Sequence, residues 1–408
     1  MVSPARWTSA CTVLLLATCA AARPSPDQAP PAPPAVAVPA AWQAPAWPTV
    51  ERRSSAPTAN GSLPATVRVA TAAGLSSQQL AGQRIIFSYR GLTPPKELFQ
   101  AIRAGRAGGV VFFRSNITGA AQLRSVIERL KQAQQQSPVH VPLLLMVDQE
   151  GGLVRRLPGA PVLSERQIGQ AADPAAAAAQ AGTGAGKNLS GLGLNVNLAP
   201  VLDAYGTADN FIDKPQRSYS QNPAVVAAAS RAFIVAQQRA GVAATAKHFP
   251  GLGSAPAGQN TDERAVTLSV PLSRLRAVDE APYPAAINAG VDLVMLSWAV
   301  YPALDGRHPA GLSRKVVEGE LRGRLGYRGV TVTDALEAGA LKGVGTVGDR
   351  AVAAAAAGMD LLLCSAQDTS QGTAAAAALT TALTSGRLDR TTFADAVERV
   401  LALRAALR

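Results

Sequence analysis

Eight short apolar runs, each followed by a longer segment, constrain this chain more than any other feature. They are Ile85–Tyr89, Gly109–Phe113, Leu143–Asp148, Asn195–Pro200, Ala243–Phe249, Leu293–Trp298, Gly329–Asp334 and Met359–Ser365. Most lack polar alternation, as expected of strands buried on both faces of a parallel sheet. Between them, segments such as Gln122–Gln135, Asn222–Gly241 and Leu272–Gly290 repeat apolar residues at helical spacing, with Gly near the end as a C-cap signal. Eight strands alternating with helices predict an α/β fold, a TIM-type (β/α)8 barrel, as a single catalytic domain over residues 66–408. A doubly wound open sheet is the alternative. No G-x-G-x-x-G opens the first helix and no G-K-[ST] occurs, so phosphate-cradling loops are not indicated.

The stretch before this domain reads differently. Residues 1–22 place Arg6 ahead of a short apolar core, Thr12 to Ala20, which predicts an export signal too short to anchor in a bilayer. Two processing sites compete. Ala20-Ala21-Ala22 resembles a small-residue cleavage site. Leu16-Ala17-Thr18-Cys19 resembles a lipobox, in which Cys19 would be lipidated and tether the protein to a membrane. Residues 23–64 hold 11 of the 29 prolines, which predicts an extended, disordered spacer. The chain is therefore expected outside the cell or at its envelope. Of three cysteines, only Cys364 lies in the domain, so no disulfide framework is expected. The formal charge is +12, but the Lys and Arg are scattered singly and aromatics make up only 4%. That pattern fits a solvated surface, and no nucleic-acid partner is expected. A monomer is expected.

In a (β/α)8 barrel the chemistry sits at the C-terminal ends of the strands. Asp148 ends the third run, Asp203 lies just past the fourth, Lys247 and His248 close the fifth, Trp298 follows the sixth and Asp334 ends the seventh. Each Asp alone would pass as a helix N-cap, and Glu150 as a first-turn acid favoured by a helix dipole. Charges gathered on one rim are costly to bury unless they pair or bind something. Arg217, in the loop after the fourth run, faces the same rim. Metal-ligand spacings are missing, as is a G-x-S-x-G elbow, so neither a metal centre nor a serine hydrolase is indicated and no cofactor is expected. Carboxylates with a Lys-His pair and an Arg suit the binding and cleavage of a hydroxyl-rich substrate, and glycoside hydrolysis needs two groups across the scissile bond.

The motifs VDQEGG (147–152), NVNLAPVLD (195–203), RSYS (217–220), KHFPG (247–251) and TDAL (333–336) resemble the catalytic domain of glycoside hydrolase family 3. The similarity is strongest to the bacterial β-N-acetylhexosaminidase branch of cell-wall recycling and runs from about residue 75 to the C-terminus. It implies a retaining mechanism with Asp334 as nucleophile and Asp148, Arg217, Lys247 and His248 as substrate-binding residues. The substrate would be a glycan containing N-acetylglucosamine. That branch usually carries an acid/base histidine in the loop after KHFPG. Here the loop reads Asn260-Thr261-Asp262-Glu263-Arg264, which leaves Asp262 or Glu263, on a mobile loop, to act as acid/base. Leu252 replaces the histidine of KHFPGHG, and Leu153 stands where an arginine usually follows VDQEGG. A β-glycosidase with another sugar preference, or an envelope sugar-binding protein with weak or no turnover, is the alternative.

Overall fold

A computed structural model describes residues 71–407, so the export, cleavage and lipidation expectations, with Cys19, fall outside the described residues. The eight apolar runs become eight strands: β1 (Ile85–Phe87), β2 (Gly109–Phe112), β3 (Leu144–Val147), β4 (Val196–Asn197), β5 (Ala243–Phe249), β6 (Leu293–Leu296), β7 (Val330–Ala335) and β8 (Leu361–Leu363). Each pairs in parallel with its sequence neighbours, and β8 pairs with β1 to close the barrel. Successive side chains in a strand face opposite ways, and here both ways lead to apolar surroundings. Ile86, Val111, Leu144, Met146, Val196, Leu293, Met295, Val332 and Leu361 fill the barrel interior. Their neighbours Ile85, Val110, Leu145, Val294 and Leu362 pack outward in the layer shared with the helices. This double burial is why the runs carry no polar alternation.

The largest departures from the expected boundaries have local causes. The fourth run shrinks to two residues, because Pro200 has no N–H to give to a ladder. On the β5 side backbone bonds continue, Thr245 N and Lys247 N donating to Ala199 O and Pro200 O at 2.9 and 3.3 Å, and on the β3 side Asn197 Oδ1 accepts from Gln149 N at 2.9 Å while its Nδ2 donates to Gln149 O at 3.0 Å. The helix expected over Leu272–Gly290 is broken into Leu272–Arg274, a wider-wound turn Leu275–Asp279 and Tyr283–Asn288. The break falls at Pro282, which cannot continue an α-helical bond pattern. The other two helices form over Ala120–Gln135 and Pro223–Arg239, the latter capped by the Asn222 side chain.

The N-terminal end of the barrel is plugged by the final helix, Arg390–Ala406, whose Val400 and Leu403 join the interior cluster. A buried carboxylate locks that end. Asp360, just before β8, accepts through Oδ2 from Thr331 N at 2.8 Å and Arg322 Nη2 at 2.6 Å, and through Oδ1 from Arg399 Nη2 at 2.8 Å. It thus joins β7, β8 and two helices at the face opposite the expected site. Asp360→Ala would strand the buried Arg322 guanidinium. Removing one partner of such a pair costs roughly 3–5 kcal/mol, so urea unfolding should show a clear fall in midpoint with little change in the affinity of the folded protein for sugar.

Candidate active site

The site is built at the C-terminal ends of the strands, starting from two carboxylates two residues apart. Asp148 follows β3, and the chain then runs extended through the short strand Gln149–Gly151, so Asp148 and Glu150 face the same way. Gln149 points oppositely and anchors the segment, donating to Leu157 O and Ala160 O at 3.1 and 3.0 Å. Lys247, near the end of β5, is 2% exposed and reaches both acids, with Nζ 2.9 Å from Asp148 Oδ1 and 2.7 Å from Glu150 Oε1. Arg217 grips Glu150 with two parallel bonds of 2.9 Å each from Nε and Nη2. Such a fork geometry fixes the guanidinium plane as well as its charge.

These contacts decide the ionisation. Burial alone would raise the pKa of Glu150, but Arg217 and Lys247 outweigh it and hold the carboxyl well below its usual range. Burial would likewise discharge Lys247, yet Glu150 and Asp148 prevail and keep it an ammonium. Burial opposes ionisation of Asp148 too, and Lys247 and Arg156 overcome it, so its pKa is also lowered. Four charged groups therefore sit together, Glu150 and Lys247 buried and Asp148 and Arg217 half-buried, because they neutralise one another.

His248, the next residue, is held from the other side. Its Nδ1 lies 2.7 Å from Asp203 Oδ2, so Nδ1 carries the proton toward the carboxylate and Nε2 is left toward Arg217 Nη2, 3.5 Å away. The β5–β6 register slips between Lys247 and Phe249, and both Lys247 and His248 line the cleft. Asp203 also accepts from Leu252 N at 2.7 Å. Leu252 itself is fully buried, so at this position the turn contributes a backbone N–H while its side chain packs in the core.

These groups form one wall of an open cleft of about 630 Å³, floored by Val111, Leu198, Met295 and Leu363. The opposite wall holds Asp334, Asp262 and Glu337. Asp334, half-buried at the end of β7, accepts from Ala335 N at 2.7 Å. The strand end is steadied by Trp298, whose Nε1 donates to Ala335 O at 2.8 Å. Glu337 is fixed by Ser365 Oγ at 2.6 Å and Gln371 Nε2 at 2.9 Å. The cleft's ion pairs gather on Asp148, Glu150 and Asp203. Among the described residues, no cation stands at ion-pair distance from Asp334, Asp262 or Glu337. Asp262 is raised in pKa by its partial burial and then by the Asp334 charge.

Asp148, Arg217, Lys247, His248, Asp334 and Asp262 therefore converge on one cleft. Glu263 does not. It is exposed, 3.5 Å from Arg264, and accepts at 3.3 Å from Nδ2 of Asn260, which lines the cleft while Glu263 does not. The loop is also anchored rather than free: Gly339 N donates to Asp262 O at 2.7 Å and Ala340 N to Thr261 O at 3.0 Å. Glu150 is no helix-turn acid but the centre of the ionic wall, because the extended Gln149–Gly151 segment turns residues two apart to the same side. Leu153 is 71% exposed, and a second cation against Asp148, besides Lys247, comes from Arg156, 3.6 Å away, which the sequence motif does not single out. Glu337 was equally unmarked, although its spacing of three from Asp334 on a turn would bring it to the same rim.

The model of the glycosyl hydrolase family 3 N-terminal domain matches residues 78–403. An uncharacterized secreted glycosyl hydrolase of Arthroderma benhamiae is 46% identical over 329 residues, 80% of this chain and 93% of that protein. A β-hexosaminidase of Xylella fastidiosa is 37% identical over 62% of this chain and 75% of its own length. Among solved structures, a family 3 β-N-acetylglucosaminidase from Paenibacillus superposes with a TM-score of 0.77 at 38% identity, covering 81% of this chain, which spans 62% of that one. A β-N-acetylhexosaminidase from Beutenbergia cavernae gives 0.74 at 33% identity, covering 81% of this chain and 98% of the other. With the closed parallel barrel and the carboxylate cleft at its C-terminal end, these matches show that the chain belongs to glycosyl hydrolase family 3.

Proposed function

We propose that the protein is an exported, retaining β-N-acetylhexosaminidase that removes terminal N-acetylglucosamine from cell-wall or chitin-derived fragments. The observation that carries this reading is the division of the cleft. One wall presents Asp148, Glu150 and His248 already bound to protein partners and fit to hold sugar hydroxyls. The other presents Asp334 and Asp262, with no cation at ion-pair distance among the described residues, where two carboxyl groups can act on one glycosidic bond. The similarity to β-N-acetylglucosaminidases supports the sugar, and the apolar segment Thr12 to Ala20 together with a relative named as secreted supports export.

In the first step an Asp334 oxygen attacks the anomeric carbon. The bond to the leaving oxygen breaks, and that oxygen takes the proton of Asp262. In the second step Asp262 takes a proton from water, the water oxygen bonds to the anomeric carbon, and the ester to Asp334 breaks. Asp262 must be protonated at the outset, and its raised pKa keeps it so to higher pH than a free aspartate allows. Lys247 and Arg217, being neutralised by Glu150 and Asp148, orient the sugar without suppressing the nucleophile.

Asp334→Asn should abolish turnover of an aryl β-N-acetylglucosaminide while sugar binding persists in calorimetry; turnover near the wild-type rate would remove Asp334 from its role. Asp262→Ala should lose roughly 10²–10⁴-fold in kcat/KM on substrates with poor leaving groups and far less on a dinitrophenyl glycoside. Because the acid form is the active one, rising pH through the Asp262 pKa should lower kcat/KM in the wild type, and this alkaline limb should vanish in Asp262→Ala. An unchanged limb would assign the acid to another group.

A further inference from the structure

The turn Gly339–Leu341, which follows β7, carries the loop of Asp262 on its backbone. Gly339 N and Ala340 N donate to the carbonyls of Asp262 and Thr261 at 2.7 and 3.0 Å. The approach is too close for any side chain at Gly339. A β-carbon there would lie 2.0 Å from the Glu263 carbonyl oxygen, 2.1 Å from its carbonyl carbon and 2.8 Å from Arg264 N. All three are main-chain atoms of the loop, so no rotamer change relieves the overlap and the loop itself must move. Gly339 is not in the left-handed region, so the position demands space rather than backbone freedom.

The rest of the loop is braced in ways that pass a shift at Glu263 on to its neighbour. Asn260 accepts through its side chain from Asp262 N at 2.9 Å, and through its carbonyl from Glu263 N and Arg264 N at 3.2 and 3.1 Å. Beyond it, Val300 bonds to Val266 O and Leu268 N at 2.9 and 2.8 Å, tying the chain back to the barrel just after β6. Thr261 is buried, so the segment has little slack on its inner side.

We infer that Gly339 is a positioning residue for the acid/base: its missing side chain lets the loop dock on the turn after β7, so that Asp334 and Asp262 are carried on one rigid unit. The inference rests on the reading of Asp262 as acid/base. It replaces the swinging loop suggested by a Gly-, Ala- and Pro-rich sequence with a fixed one, and assigns the fixing to a residue that touches no substrate. A carboxyl group held this way is aimed before substrate arrives, and small misplacements of such a group are costly.

The test is a leaving-group series of aryl β-N-acetylglucosaminides with Gly339→Ala, Asp262→Ala and the double variant, with folding followed by circular dichroism and thermal unfolding. Gly339→Ala should lose about 10- to 100-fold in kcat/KM on poor leaving groups, part of the roughly 10²–10⁴-fold that a general acid supplies, and only a few-fold on the dinitrophenyl glycoside. In the Asp262→Ala background the same substitution should add no leaving-group dependence. Added azide should accelerate Gly339→Ala on the activated substrate, as a small nucleophile replaces the misplaced base. Should Gly339→Ala fold poorly, Ala340→Pro removes the second N–H anchor without a β-carbon against Glu263, and the same split is expected. An equal loss on all leaving groups, or none, in a folded variant overturns the inference. Absence of any leaving-group effect in Asp262→Ala itself would instead overturn the acid/base reading beneath it.

Discussion

Everything on the functional face depends on the buried contact of Lys247 with Glu150. An ammonium that is 2% exposed is tolerable only because two carboxylates meet it, and Glu150 is tolerable only because Arg217 and Lys247 meet it in return. This closed set of charges converts the ends of β3 and β5 and the loop after β4 into a single wall. With Asp148 and Glu150 already neutralised, their charge adds little to the field at Asp334 across the cleft. The barrel contributes the other half of the arrangement by ending parallel strands at one level, so that groups far apart in sequence meet without long loops.

In the proposed mechanism the two walls divide the chemical labour. On one, each polar group has a partner that fixes its direction: Asp203 for His248, Glu150 for Arg217, Lys247 for Asp148. A sugar ring laid against it meets oriented donors and acceptors. On the other, three carboxyl groups stand close together, and partial burial, followed by the Asp334 charge, raises the proton affinity of Asp262. A carboxyl group that keeps its proton to higher pH is what the acid in such a reaction requires. The resemblance implies a histidine in this loop, and the sequence already offers Asp262 and Glu263 in its place. The structure places Asp262, and not Glu263, in the cleft lining, in surroundings that favour the protonated form.

The barrel was legible because double burial writes itself into sequence as uninterrupted apolar runs, and the strand-end charges stood out against them. What escaped was set by contacts between distant segments. Glu150 looked like a helix-turn acid because nothing local reveals that VDQEGG continues as an extended hairpin. Arg156 was passed over in favour of the position of Leu153, since the register of that hairpin decides which side chains face the cleft. Glu263 looked equivalent to Asp262, and the loop looked mobile, because composition cannot report that Gly339 and Ala340 hold two of its carbonyls. Leu272–Gly290, expected as one helix, is broken at Pro282, a local signal that the helical apolar spacing outweighed in the sequence.

The most direct measurement is covalent trapping of the enzyme with a 5-fluoro-N-acetylglucosaminyl fluoride, followed by intact-mass and peptide mapping. The account predicts one added sugar per chain, on the peptide containing Thr333-Asp334-Ala335-Leu336 and bonded to Asp334. A sugar attached to any other residue, or inhibition and turnover with no covalent adduct at all, would contradict it.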